Sequence, residues 1–114
     1  SPGKTVVAQD FAGRYRLFAD GRWTGTLELT VDEARVIAGI FRSEPNGTSY
    51  PIRGQVAADP SNRATFSIKF PRTEQEYDVF LWSEGKSALA GTFVMLGRTF
   101  GAYALREPTA GPAR

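Results

Sequence analysis

Turn-forming residues interrupt this chain at short, regular intervals, which leaves no space for a long helix. Asp, Pro, Asn and Gly are concentrated at seven breaks, among them 20–21, 44–47, 59–62 and 84–85. The breaks separate eight runs rich in Val, Ile, Thr, Phe and Tyr, the residue types that favour strands. These runs cover about 13–19, 22–30, 34–43, 48–57, 63–71, 75–83, 87–95 and 98–106.

The lengths of the connections predict the topology. Links of two to six residues join neighbouring antiparallel strands and are too short for a crossover. A Greek key needs a long return connection, and none is present in the sequence. Eight strands joined by hairpins can remove their exposed edges by closing into a ring. We therefore predict an all-β fold, an eight-stranded antiparallel up-and-down barrel over 11–107, with an N-terminal extension at 1–10 and a flexible tail or linker at 108–114.

The composition argues against most catalytic chemistry. The 114 residues include no Cys and no His, which removes the usual zinc ligands, thiol nucleophiles and imidazole bases. Glu74, Glu76 and Asp78 alternate along one predicted strand, where ion-paired surface is more common than a catalytic pair. The sequence thus predicts a protein that is not an enzyme and has no metal or cofactor.

Charge and hydropathy argue against two classes of partner. Fourteen Lys+Arg and 12 Asp+Glu give a formal net charge of +2, and no three basic residues are adjacent. This scattered pattern does not predict a nucleic-acid surface. No apolar run approaches the length of a membrane span, and no signal peptide opens the chain.

Two late runs are apolar on both faces, which is more than one antiparallel barrel needs. They read QEYDVFLW at 75–82 and AGTFVML at 90–96. A strand in a small antiparallel domain buries only one face. The second apolar face predicts contact with a partner, a neighbouring domain or a ligand.

Residues 50–107 resemble the avidin/streptavidin family in their order of strands and turns. The segments YPIRGQ at 50–55, TFSI at 65–68, TFVML at 92–96 and GAYALR at 101–106 are similar to its fourth, fifth, seventh and eighth strands. Gly13-Arg14-Tyr15 stands where the family has Gly-x-Trp. The resemblance implies an avidin-like barrel.

Three segments also resemble an uncharacterised bacterial domain that occurs in larger, exported proteins. They are FPRTEQ at 70–75, ALAGT at 88–92 and GRTFGAYALR at 97–106. The resemblance implies an exported or periplasmic location. Because Ser1 is not an initiator Met, we expect the chain to be a piece of a longer protein.

The avidin-like register implies which side chains face inward. This register places twelve residues inside the barrel: Phe66, Ile68, Phe70, Tyr77, Val79, Leu81, Thr92, Val94, Leu96, Gly101, Tyr103 and Leu105. An outer apolar stripe is then formed by Phe80, Trp82, Phe93 and Met95, with Phe100 beside it. We expect a homo-oligomer or a neighbouring domain to contact this stripe through the last three strands. The alternative is a register that differs by one residue, which would exchange the two faces.

The same resemblance implies no tight binding of biotin. The family contacts the ureido oxygen of biotin with polar residues from its first three strands, where this chain has Leu17, Gly21 and Phe41. The family's stacking Trp corresponds to Val94, and its polar residue on strand eight corresponds to Tyr103. A ureido group without hydrogen-bond partners would lose several kcal/mol of binding free energy.

The mouth of a barrel is the default place for a ligand. Candidate ligand-binding residues are Tyr15, Trp23, Arg42, Tyr77 and Tyr103, a set suited to a carbohydrate or a flat organic molecule. The expected function is a non-catalytic binding or assembly module. Two alternatives stay open: a structural homo-oligomerisation domain whose barrel is filled by side chains, and an inhibitor-type barrel that blocks an enzyme with the loops 44–49 and 58–63.

Overall fold

Eight antiparallel strands in sequence order close into one barrel in the computed structural model, which describes residues 5–108. The strands are β1 (Gly13–Ala19), β2 (Trp23–Val31), β3 (Val36–Ser43), β4 (Ser49–Val56), β5 (Arg63–Lys69), β6 (Glu74–Leu81), β7 (Ala88–Met95) and β8 (Arg98–Arg106). A 3-10 helix, Ala8–Phe11, precedes β1. The predicted fold class is confirmed, and it is compatible with an avidin-like barrel. The barrel has no edge strand, because β8 pairs with β1.

A row of aromatic rings fills the middle of the barrel. Phe66, Tyr77, Phe93 and Phe100 are direct cross-strand partners on β5 to β8. Their successive ring centroids are 5.0, 4.9 and 5.0 Å apart, and each pair is stacked. Stacked aromatic pairs at this spacing add to the free energy gained by burying their area. The centre of the barrel is therefore packed core.

The predicted facing is right for β5 and β6 and wrong by one residue for β7 and β8. Phe66, Ile68, Tyr77, Val79 and Leu81 are buried as expected, and Phe70 packs partly buried against the core just beyond β5. On β7 and β8 the buried inward side chains are Leu89, Phe93, Ala102 and Ala104. The residues that the resemblance places inside are exposed: Thr92, Val94, Leu96, Gly101, Tyr103 and Leu105.

Three residues expected on the outer stripe consequently belong to the interior. Phe93 is fully buried, while Met95 and Phe100 pack partly buried against the core. The cause is cross-strand pairing. Tyr77 lies inside, its direct partner on β7 is Phe93, and the partner of Phe93 on β8 is Phe100. Direct partners share one face of a sheet, so the facing of β6 fixes that of the next two strands.

The N-terminal segment closes one end of the barrel. Val6 and Phe11 are buried in the core, and Gln9 Nε2 donates to the Val31 carbonyl at the end of β2. Residues 5–10 of the predicted extension therefore pack onto the barrel. Residues 1–4, and residues 109–114 of the predicted tail, lie outside the described part of the chain.

Arg106, the last residue of β8, holds this closing segment in place. Its guanidinium donates to the carbonyls of Asp10 (2.6 Å), Ala12 (2.9 Å) and Lys86 (3.0 Å) and to the Tyr15 hydroxyl (2.8 Å). It also lies 4.7 Å from the centre of the Tyr15 ring. The Tyr15 hydroxyl in turn donates to the Phe11 carbonyl at 2.8 Å. One side chain thus links the final strand to the helix and to β1.

Candidate functional site

The end of the barrel opposite the N-terminal helix is open and forms a cavity of about 480 Å³. We call this cavity the mouth. Its lining comes from the last residues of β1, β3 and β7, the first residues of β2, β4 and β6, and the connections between β3 and β4 and between β5 and β6. Several inward positions here carry small side chains, such as Ala19 and Ser43, which leave the space that larger residues fill deeper in the barrel.

Aromatic side chains make up much of the wall of the mouth. Phe41, Tyr50 and Phe70 line it from neighbouring strands, with Tyr50 and Phe70 ring centroids 4.6 Å apart. Trp23 lines it from β2 and packs edge-on against Phe100 at 6.3 Å between centroids. The lining is predominantly apolar, which suits an aromatic or aliphatic ligand body.

One buried polar group interrupts the apolar lining. Gln75, the second residue of β6, is only 8% exposed and is the only buried polar or charged residue in the part of the chain that the structure describes. Its Oε1 accepts a hydrogen bond of 2.8 Å from the Tyr77 hydroxyl. Its Nε2 is 3.6 Å from the Met95 sulfur. Burial raises the pKa of Tyr77 well above its usual value, so this hydroxyl keeps its proton and remains a donor.

The structure brings one of the five predicted ligand residues, Trp23, into the mouth. Tyr77 lies buried beside it and reaches the lining through Gln75. Tyr15 is buried at the closed end, where burial raises its pKa to about 12 despite the opposing effect of the Arg106 cation. Arg42 and Tyr103 are exposed on the outside of the barrel. Tyr15 and Tyr103 do not line the mouth, for different reasons. Tyr15 faces inward but lies at the closed end of the barrel, and Tyr103 faces the solvent.

The sequence-based prediction missed Phe41, Tyr50, Gln75 and the inward role of Met95. A signal for Gln75 was present in the sequence. The inward alternation of Leu81, Val79 and Tyr77 continues two residues back to Gln75. A polar residue on an otherwise apolar strand face is the pattern expected for a side chain with a specific partner.

An exposed apolar surface runs along the outside of the barrel from β6 to β1. Phe80, Ala90, Tyr103 and Phe18 are successive cross-strand partners on β6, β7, β8 and β1. Tyr103 and Phe18 stack at 4.9 Å between centroids. Trp82 and Leu105 extend this row and are about half exposed. We call Phe18, Phe80, Trp82, Ala90, Tyr103 and Leu105 the outer aromatic face.

The alternating carboxylates of β6 lie on the outside of the barrel. Asp78 accepts a bidentate pair of hydrogen bonds from Arg63, at 2.9 and 2.6 Å, and the hydrogen bond from Arg63 lowers its pKa. Between residues 5 and 108, no three His, Cys, Asp or Glu side chains come together as a possible metal site. No helix in that same span is long and apolar enough to cross a membrane.

The loops proposed for an inhibitor lie at opposite ends of β4. The connection before β4 borders the mouth, whereas the connection after it borders the closed end. Eight residues of extended strand separate them by about 25 Å. The two loops therefore lie at opposite ends of the barrel and do not form one surface.

Comparison with protein-family models and with curated proteins finds no match to this chain.

Proposed function

We propose that this barrel is a non-catalytic binding module and that its open mouth is the ligand site. The observation that carries the proposal is the contrast between the two ends of the barrel. The closed end is packed by Val6 and Phe11, whereas the mouth keeps a cavity of about 480 Å³. Cavities of roughly 300–1,000 Å³ lined mainly by apolar side chains are typical of small-molecule sites.

The lining favours a ligand with an aromatic or aliphatic body. Phe41, Tyr50, Phe70 and Trp23 offer ring faces and edges. The polar side chains of the lining are Thr24, Ser43, Arg72, Thr73 and Gln75. A sugar would lose hydrogen bonds to water that this mainly apolar lining replaces only in part. Carbohydrate stays an alternative that a glycan array would test. Attachment to a larger, exported protein also stays a prediction.

A tryptophan placed in the mouth should weaken binding there. Ser43 lines the mouth, and Ser43→Trp fills part of the cavity without removing any side-chain hydrogen bond seen at Ser43. We expect the affinity for 8-anilinonaphthalene-1-sulfonate, measured by its fluorescence, to fall at least tenfold. We expect biotin to compete with this probe only weakly, because Leu17, Gly21 and Phe41 replace the polar side chains that would fix its ureido group tightly.

Ser49→Trp is the matched control, since Ser49 lies on the outside of β4 and is exposed. Binding should be unchanged in this variant. Equal affinities of the wild type and both variants would mean that the probe sits elsewhere, and the proposed site would be rejected.

The outer aromatic face supports a second role, assembly with another copy of this chain. Phe80, Trp82 and Tyr103 are 45%, 52% and 47% exposed. With Leu105 they leave on the order of 300–400 Å² of apolar side chain in water, about half of one partner's share of a standard interface. A patch of this size is comparable to the largest apolar patch on a typical monomer, and such patches are often functional.

The charges beside this face favour a second copy over a strongly charged partner. Arg63 on one border is paired with Asp78, and Arg16 on the other is paired with Glu44 at 3.1 Å. Because each border is already neutralised within one chain, two copies can meet without leaving a buried unpaired charge.

Two acidic substitutions in this face should give a monomer. We expect sedimentation velocity to show a dimer or larger species for the wild type and a monomer for Trp82→Glu combined with Tyr103→Glu, since a carboxylate is costly to bury. The control is Ile40→Glu, which alters an exposed apolar side chain on β3, away from the face. A wild type that sediments as a monomer at high concentration would exclude self-association, and a neighbouring domain would then be the remaining occupant.

A further inference from the structure

We infer that the mouth selects ligands that carry a carbonyl oxygen, as in a ketone, which accepts a hydrogen bond from Nε2 of Gln75. The inference rests on the proposed function of the mouth and adds to it the chemistry of recognition. Gln75 is the one buried polar residue of the described chain, and it lies in the lining of the cavity.

The protein itself uses only half of the Gln75 amide. Oε1 is satisfied by the Tyr77 hydroxyl at 2.8 Å. The acceptor that the described residues offer Nε2 is the Met95 sulfur at 3.6 Å, and a thioether is a weak acceptor. A buried N–H group without a strong acceptor is costly, and a ligand oxygen would remove that cost.

Tyr77 fixes which end of the amide faces the cavity. Its ring is held between Phe66 and Phe93, with centroids at 5.0 and 4.9 Å, so its hydroxyl has little freedom. This hydroxyl donates to Oε1, and Nε2 is directed toward Met95 on the mouth lining. Tyr77 therefore acts as a positioning residue for the donor.

The Met95 side chain can rotate away from Gln75 when a ligand binds. Methionine has three rotatable side-chain bonds and adapts its shape readily. It packs only partly buried against the core and borders the mouth. A carbonyl oxygen can thus replace the sulfur beside Nε2.

The test compares two probes of nearly equal shape. One is the ketone 2-acetylnaphthalene, and the other is 2-isopropenylnaphthalene, in which a CH₂ group takes the place of the carbonyl oxygen. Titration calorimetry gives the ratio of their dissociation constants in each variant. Gln75→Met combined with Tyr77→Phe removes the donor and its partner together, which keeps buried hydrogen bonding balanced. We expect the ratio to shift about tenfold against the ketone in this double variant.

Two further variants distinguish the hydrogen bond from Gln75 from a general change in the packing of the barrel. Tyr77→Phe alone should shift the ratio in the same direction but less, because the amide is still present without its fixed orientation. Thr65→Val removes an exposed hydroxyl on the outside of β5, away from the mouth, and should leave the ratio unchanged. The infrared carbonyl stretch of the bound ketone should lie at lower frequency in the wild type than in the double variant.

The outcomes distinguish this inference from the proposed function. If both probes bind and their ratio is the same in the wild type and the double variant, the role of Gln75 is rejected and the mouth remains a ligand site. If neither probe binds the wild type, or if Ser43→Trp leaves their binding unchanged, both proposals are rejected.

Discussion

Replacing Phe93 with alanine is expected to lower the free energy of unfolding by about 3–5 kcal/mol, as for other large aromatic residues truncated in a core. Phe93 is fully buried, and its ring stacks on Tyr77 and Phe100 at 4.9 and 5.0 Å between centroids. Trp23 contacts it edge-on at 6.4 Å. The substitution removes all three contacts and leaves a cavity that the closed barrel cannot readily collapse. Urea-induced unfolding followed by circular dichroism measures the effect.

Phe80→Ala is the matched control, because it makes the same chemical change on the opposite face of the sheet. Phe80 is 45% exposed, and its loss should cost less than about 1 kcal/mol. The two variants together test the facing of β6 and β7. Equal losses, or a larger loss for Phe80→Ala, would contradict the inward position of Phe93.

Arg106→Ala is expected to cost about 3 kcal/mol of stability, since hydrogen bonds from a charged donor contribute about 1.5–3 kcal/mol each and are not additive. The guanidinium donates to three carbonyls and to the Tyr15 hydroxyl, and it joins segments at the two ends of the chain. Its loss should loosen the N-terminal helix. Hydrogen exchange should then show faster exchange at the N–H groups of Asp10 and Ala12, which form hydrogen bonds within that segment.

Arg14→Ala provides the comparison for Arg106. Arg14 forms ion pairs with Glu28 and Glu107, but its side chain is 58% exposed, so its removal should change stability by less than about 0.5 kcal/mol. Arg106→Lys should recover only part of the loss, because an ammonium group cannot reproduce the planar set of donors. If Arg106→Ala is as stable as Arg14→Ala, the N-terminal segment does not depend on this residue.

The fold was predictable because it follows from local signals. Turn residues at 20–21, 84–85 and 96–98 mark hairpins whose short links permit only neighbouring antiparallel strands. The bounds of β1 and β8 agree with the prediction, and the other strand ends differ by no more than two residues. Closure follows from the same pattern, since an open eight-stranded meander would expose two edges.

The candidate site was less predictable, because it depends on residues far apart in the sequence. Trp23 reaches the mouth as part of a cluster with Phe93 and Phe100, about seventy residues later in the chain. Arg42 was expected there but lies on the outer face of β3, where it donates to the Gly47 carbonyl at 2.9 Å. Neither position follows from the spacing of nearby residues.

The sequence by itself determined the number, order and pairing of the strands, because hairpin geometry depends on a few neighbouring residues. Only the tertiary structure decided which way β7 and β8 face, because both strands are apolar on two sides and alternation alone permits either register. Cross-strand pairing and the volume available inside the barrel decide which way these two strands face. With Phe66, Tyr77, Phe93 and Phe100 forming the aromatic row, the next inward positions of β8 are taken by the small Ala102 and Ala104, and Tyr103 and Leu105 are left in solvent.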